Sequence, residues 1–146
     1  MLYKVVLILS VDLKGAVMTK KLEIYKCGVC GNIVEILFSG VGTLVCCGQD
    51  MNLQSEQTSG DMALNHVPVY EKSNDEMLVS VGLMEHPMGE EHYIQMIELI
   101  ASNKILRKYL EPKEKPEFLV ECLTYKDGFA RAYCNKHGLW KGASIC

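Results

Sequence analysis

Four cysteines occur close together, as Cys27-x2-Cys30 and the adjacent pair Cys46-Cys47. A Cys-x2-Cys turn aims two sulfurs at one ion, and a second pair from another hairpin closes a tetrahedron. Thiolates accept zinc or iron, so the pattern identifies metal binding before it identifies the metal. The second pair has no spacer, and neighbouring side chains on an extended strand point to opposite faces. The backbone at Cys46 and Cys47 must therefore bend away from regular β geometry, distorting the tetrahedron. A zinc-stabilised ribbon is the structural alternative. A disulfide framework fits less well, because the seven cysteines are odd in number and no export signal stands out.

The chain has four histidines, His66, His86, His92 and His137, in "NHVPVYEK", "EHPMGEEHYIQMIEL" and "YCNKHGLW". His86 and His92 are about 240° apart around a helix at the usual ~100° per residue, so no single helix aims them together. Pro87 and Gly89 favour a loop that curls both inward. Cys134 and His137 have the spacing of one tight turn. Each histidine taken alone is more often structural or exposed than a ligand. Spacing leaves open a His/Cys zinc site or no common site.

These residues need elements to position them. The 146 residues are 49% hydrophobic and 23% charged, enough for one good core and a small appendage. A net charge of −3 gives no general attraction to nucleic acid or to an anionic membrane, and neither partner is expected. The apolar run Val5 to Leu9 is too short to span a bilayer and makes a poor signal peptide. Residues 1–19 are expected to be an N-terminal extension, with Met18 the working start; finding Met1 or Leu2 at the natural N-terminus rejects this.

Residues 20–54 form a compact unit of short β-like runs, Ile33 to Phe38 and Thr43 to Val45, alternating with glycines. It is too small for a large core and needs a metal for much of its stability. The polar, turn-prone stretch "QSEQTSGDM" follows, and residues 55–63 are expected to be a linker. In residues 64–146 the strand candidates are His66 to Glu71, Met77 to Val81, Tyr93 to Ile100, Phe118 to Thr124 and Phe129 to Tyr133. Their spacing predicts an all-β sandwich. The composition of "EEHYIQMIELIASNKILRKYL" also suits a helix. As a strand, "HYIQMIELI" places His92, Ile94, Met96 and Glu98 on one face, with Tyr93, Gln95, Ile97 and Leu99 on the other.

Together, "YKCGVCGNIVEIL", "GTLVCCGQDM", "HVPV", "HPMGEEHYI" and "YCNKHGLW" resemble the desulfoferrodoxins, the two-iron superoxide reductases, over residues 20–142. The resemblance implies an all-β chain, with a small desulforedoxin-like metal domain followed by an immunoglobulin-like β-sandwich. It implies two Fe per chain. One iron is tetrahedral, on Cys27, Cys30, Cys46 and Cys47. The other is square-pyramidal, with His66, His86, His92 and His137 equatorial and Cys134 axial. The implied reaction is one-electron reduction of superoxide to hydrogen peroxide, with re-reduction by an external donor such as rubredoxin. A cytoplasmic homodimer in an anaerobic or oxygen-sensitive cell is implied as well. Cys122 and Cys146 are left over, the first for the core and the second as a terminal thiol.

The chain departs from the family at one place. Many members carry Glu-Lys immediately before the first histidine ligand, where the lysine attracts superoxide and helps protonate bound peroxide. Here the residues are Leu64 and Asn65. Asn65, the catalytic-site candidate, offers a hydrogen bond but no charge and no ready proton. The expectation is a working but slower reductase with weaker salt dependence, with Lys72 or solvent as substitute. The rival readings are a non-catalytic iron protein for electron transfer or diatomic-ligand binding, and a zinc-stabilised binding module. Trp140 and Tyr133 are expected to form an ordinary core pair rather than a sheath around the Cys134 sulfur.

Overall fold

The computed structural model describes residues 17–145, so the expectations for residues 1–16 and for Cys146 lie outside it. The chain separates into two compact units, Met1–Leu53 and Gln54–Cys146.

In the first unit, β1 (Ile24–Lys26) lies between β2 (Ile33–Glu35) and β5 (Asn52–Leu53), and β3 (Val45–Cys46) pairs with β4 (Gln49–Asp50). The strands are shorter than the sequence runs. β2 stops at Glu35, leaving Leu37 and Phe38 exposed, and β3 starts only at Val45. Strands this short cannot cover a core, and among residues 17–53 only Thr19, Ile24 and Cys27 are buried.

The second unit is a sandwich of a three-stranded and a four-stranded antiparallel sheet. The first has the order β10-β7-β6, from β6 (Pro68–Ser73), β7 (Glu76–Val81) and β10 (Glu117–Glu121). The second has the order β12-β11-β8-β9, from β8 (Ile94–Ala101), β9 (Lys104–Tyr109), β11 (Phe129–Cys134) and β12 (Gly138–Ser144). Met77, Val79 and Val81 of β7 meet Ile94, Ile97, Leu99, Ala130, Ala132 and Cys134 in one core. The chain is all-β, and this unit is an immunoglobulin-like sandwich.

Four local features, three of them differences from the sequence reading, have physical causes. His66 does not begin a strand but ends a single helical turn, α1 (Ala63–His66), because Pro68 forces Val67 into an extended conformation with ψ of 124°. The helical alternative over 90–110 resolves into β8 and β9, joined at Ser102, whose φ is +49°. β8 is a central strand buried on both faces over most of its length, so its apolar residues do not alternate cleanly. Residues 122–124 belong to a 3₁₀ turn, Cys122–Tyr125, which leaves Cys122 half-buried against the core.

The fourth is a bulge. Tyr133 faces Met96 but Cys134 faces Ile94, so Gln95 is an extra residue between them. The alternation slips at that point. Ile94 therefore joins Ile97 and Leu99 in the core instead of sharing a face with Met96 and Glu98. On the opposite face the fully buried Glu98 carboxylate takes hydrogen bonds from Arg131 Nε at 2.6 Å and Arg107 Nε at 2.8 Å, which pairs an otherwise costly buried charge.

Candidate metal centres

In the first unit the Cys27 knuckle is closed by Cys27 N–H on Asn32 O at 2.8 Å and Gly31 N–H on Cys27 O at 3.1 Å. The adjacent pair converges through backbone rotation. Cys46 ends β3, and Cys47 and Gly48 form a two-residue hairpin loop with φ of +51° and +75°, the primed-turn conformation that matches strand twist. The Sγ atoms of Cys30 and Cys46 are 3.6 Å apart, and those of Cys46 and Cys47 are 3.9 Å apart. A tetrahedral ion with bonds of ~2.3 Å holds its sulfurs about 3.8 Å apart. The four sulfurs fit one.

The cluster is also electrostatically prepared. Amide N–H groups of Cys30 and Val29 point at Cys27 Sγ and hold that thiol down to about 6. Cys30 is the main influence raising Cys46, and it pushes Cys47 up to about 12. One sulfur is thus an anion at neutral pH before any metal arrives.

In the second unit α1 carries His66, the loop between β7 and β8 carries His86 and His92, and the β11–β12 turn carries Cys134 and His137. Their donor atoms all lie within 4.8 Å of one another. Neighbouring rings contact edge-on around a closed circuit. Centroid separations are 4.5 Å from His66 to His86, 4.7 Å to His92, 4.8 Å to His137 and 4.8 Å back to His66. The His66–His92 diagonal is 6.3 Å, close to the side multiplied by the square root of two. The rings stand at the corners of a square. His66 Nε2 lies 3.1 Å from His86 Nε2 and 2.9 Å from His137 Nδ1. Adjacent nitrogens around an ion with bonds of ~2.1 Å sit about 3.0 Å apart. Cys134 Sγ is 3.6 Å from His137 Nδ1, and His92 Nε2 is buried with no hydrogen-bond partner. A buried imidazole nitrogen without a partner, beside three converging ones, fits a metal ligand.

Two rings are locked through their outer nitrogens. His66 Nδ1–H donates to Met62 O at 2.8 Å and His86 Nδ1–H to Pro87 O at 2.5 Å, turning each Nε2 lone pair inward. The helical turn and the loop that carry them meet at Gly82, whose φ is +82° and where a Cβ would lie 2.4 Å from Met84 O and 2.8 Å from Asn65 O. Only glycine fits there. The His92 loop is held by Asn135, whose Oδ1 accepts from Tyr93 N–H at 3.1 Å and whose Nδ2 donates to Glu91 O at 3.0 Å.

Burial sets the protonation of the metal-free site. It lowers His66 and His92 and brings His86 down to about 4, keeping the rings neutral and able to ligate. It raises Cys134, against the backbone N–H groups of Lys136 and His137, which pull the thiol down. At neutral pH an incoming ion must therefore displace the Cys134 proton. We expect uptake by a protein whose first centre is already loaded to release about one proton per ion at pH 7. Affinity should fall as pH falls, by about tenfold per unit; a pH-stat titration showing no proton release would contradict this.

The structure thus gathers all nine candidate ligands into two clusters. It treats Asn65 differently. Asn65 Nδ2 donates to Glu85 O at 3.1 Å, so the side chain ties α1 to the loop between β7 and β8. Lys72 is a poor substitute: at ~3.3 Å per residue it stands roughly 13 Å beyond Pro68 along β6. Trp140 does not form a simple core pair with Tyr133. Its ring stacks on His66 at 4.8 Å and 30°, while Tyr133 Oη–H donates to Gln54 Oε1 at 3.3 Å. Asn135 and Trp140 carry no spacing signal for these roles, which depend on strand pairing.

The fold and the two donor clusters define a metalloprotein with a thiolate-only centre in one unit and an imidazole–thiolate centre in the other. Family comparison agrees: residues 19–54 match the desulfoferrodoxin N-terminal domain and residues 56–143 the desulfoferrodoxin main domain. The chain is 53% identical to the desulfoferrodoxin of Syntrophotalea carbinolica, over 84% of this chain and 97% of that one. It is 34% identical to the superoxide reductase of Thermococcus kodakarensis, over 52% of this chain and 82% of that one. The crystal structure of the superoxide reductase from Treponema pallidum has the same fold, with a TM-score of 0.60 at 24% identity, covering 88% of this chain and 99% of that one. This chain belongs to the desulfoferrodoxin family. Among the described residues no helix is long and apolar enough to cross a membrane.

Proposed function

We propose that this protein is a superoxide reductase with iron in both centres, and that the chemistry takes place at the imidazole–thiolate site. The observation that carries the reading is the square of four imidazoles beside one buried cysteine, five donors that leave one place of an octahedron for a small oxidant. Iron there would supply one electron to superoxide, which with two protons becomes hydrogen peroxide, and a small rubredoxin-like carrier would restore the electron. Cys134 provides the electron-rich sulfur donor that favours reactivity at iron. His66 and His86 hold their tautomers through carbonyl hydrogen bonds, so the donor set needs no rearrangement. A reducing cytoplasm suits six unpaired thiols among the described residues. A homodimer is supported by the apolar surface of the first unit, where Phe38 is 85% and Val29 65% exposed.

The test is anaerobic reconstitution, iron counting and rapid mixing with superoxide. Two irons per chain and peroxide formed without dioxygen release are expected; superoxide loss with dioxygen release would mean dismutation and refute the reading. Zinc in place of iron would favour a binding module instead.

A second reading, an iron protein that carries electrons or binds a diatomic ligand without turnover, is favoured by one observation: Asn65 is committed to Glu85 O and brings no charge. Electrostatic steering changes association rates by ~10 to 10³, and one charge belongs at the low end. Asn65→Lys is expected to speed superoxide consumption about tenfold at low salt, with the gain shrinking as salt rises. An unchanged rate in pulse radiolysis would count against steering as the missing element.

A further inference from the structure

His66 and His86 are braced through their own outer ring nitrogens, whereas among the described residues no carbonyl takes the outer nitrogen of His137. Its position depends on the backbone of the turn it shares with Cys134. That turn is gripped from outside by the segment immediately following Leu53, part of which reads in the sequence as a linker. Gln57 pairs in parallel with Trp140, its N–H donating to Leu139 O at 3.0 Å and its carbonyl accepting from Lys141 N–H at 2.9 Å. Its side-chain Nε2 reaches back along the turn and donates to His137 O at 2.7 Å, with a longer contact to Leu139 O at 3.4 Å. Glu56 anchors the same segment, one carboxylate oxygen 3.1 Å from Arg131 Nη1 and the other 2.9 Å from Lys141 Nζ.

We propose that Gln57 is a positioning residue for the second centre: its side-chain amide fixes the His137 carbonyl and thereby the direction in which His137 and Cys134 present nitrogen and sulfur to the metal. The backbone bridge to Trp140 persists whatever side chain stands at 57, so the bond to His137 O is the separable part. Its chemistry is specific, because a carbonyl needs a donor. Gln57→Leu removes the donor at similar size, Gln57→Glu sets a carboxylate against the carbonyl, and Gln57→Lys supplies a different donor. Losing an outer partner of a metal ligand typically costs 10–100-fold in metal affinity.

The experiment loads the full-length protein with iron and follows loss of the second centre's thiolate absorption to a chelator. The first centre's absorption serves as an internal measure of folding and loading. Gln57→Leu is expected to lose the second iron about tenfold faster, with a displaced absorption band, Gln57→Glu faster still, and Gln57→Lys close to the original. Should Gln57→Leu not fold, Gln57→Asn, which shortens the reach by one methylene, carries the same comparison. Equal rates and identical bands across the series would overturn the proposal. So would a defect that Gln57→Lys leaves unrepaired, which would mark a packing effect. The proposal takes its iron from the superoxide reductase reading, but the readout needs no superoxide, so absence of turnover in the loaded protein would refute that reading and leave this one to be judged separately.

Discussion

Serine in place of Cys134 is expected to lower superoxide consumption by more than about 100-fold, beyond the 10–100-fold typical of losing an outer-shell partner. The thiol is fully buried, and its sulfur lies 3.6 Å from the His137 nitrogen. Serine nearly preserves the volume and leaves the core around Ala132 and Ile94 packed, but its hydroxyl does not ionise near neutral pH and is a poor substitute for a soft donor. The second centre's thiolate absorption should vanish while that of the first remains. A Cys134→Ser protein with full activity and an unchanged second band would remove the sulfur from the mechanism. Because the four imidazoles remain, the variant is expected to retain a metal, which separates loss of chemistry from loss of the site.

Stripping the first unit of its metal should have the largest effect on stability. Only three of its described residues are buried, and its strands run two or three residues. Apolar burial on that scale cannot offset the ordering of some thirty residues. A structural metal contributes on the order of 10–16 kcal/mol to such units, and removing it leaves the chain unfolded. Hydrogen exchange after chelation is expected to show rapid exchange at β1, β2 and β5. Amides of β8 and β11 should stay protected, because those strands lie inside a four-stranded sheet. Protection persisting in a metal-free first unit would show that its hairpins stand alone.

Much of this was readable from residue types. The four cysteines and four histidines lie in the sequence stretches where chemistry was expected, because turn residues mark tight loops: Gly48 after Cys47, Pro87 and Gly89 between His86 and His92, Gly138 after His137. Strands β7, β8 and β11 were legible from their apolar runs. β12 is not legible, because "GLWKGAS" alternates poorly and contains two glycines, although Trp140 within it is 1% exposed. β9 falls within the helical alternative, since "KILRKYL" is rich in good helix formers and only its pairing with β8 decides the matter. The bulge at Gln95 left no trace in composition. It lies just after the His92 loop, opposite the step from Tyr133 to Cys134, and is set by strand pairing, which exists only in three dimensions. Gln57 was hidden for the opposite reason: a polar segment of Gln, Ser, Glu and Thr resembles a tether whether or not its side chains find partners.

The stack of Trp140 on His66 has one more consequence. The chain holds a single tryptophan, and its ring lies nearly parallel to an imidazole of the second centre at 4.8 Å. All indole emission of the protein therefore originates beside that centre, where an open-shell ion quenches it and a closed-shell ion such as zinc does not. Filling, emptying and exchange of the site are thus written into the intrinsic fluorescence of the unlabelled chain.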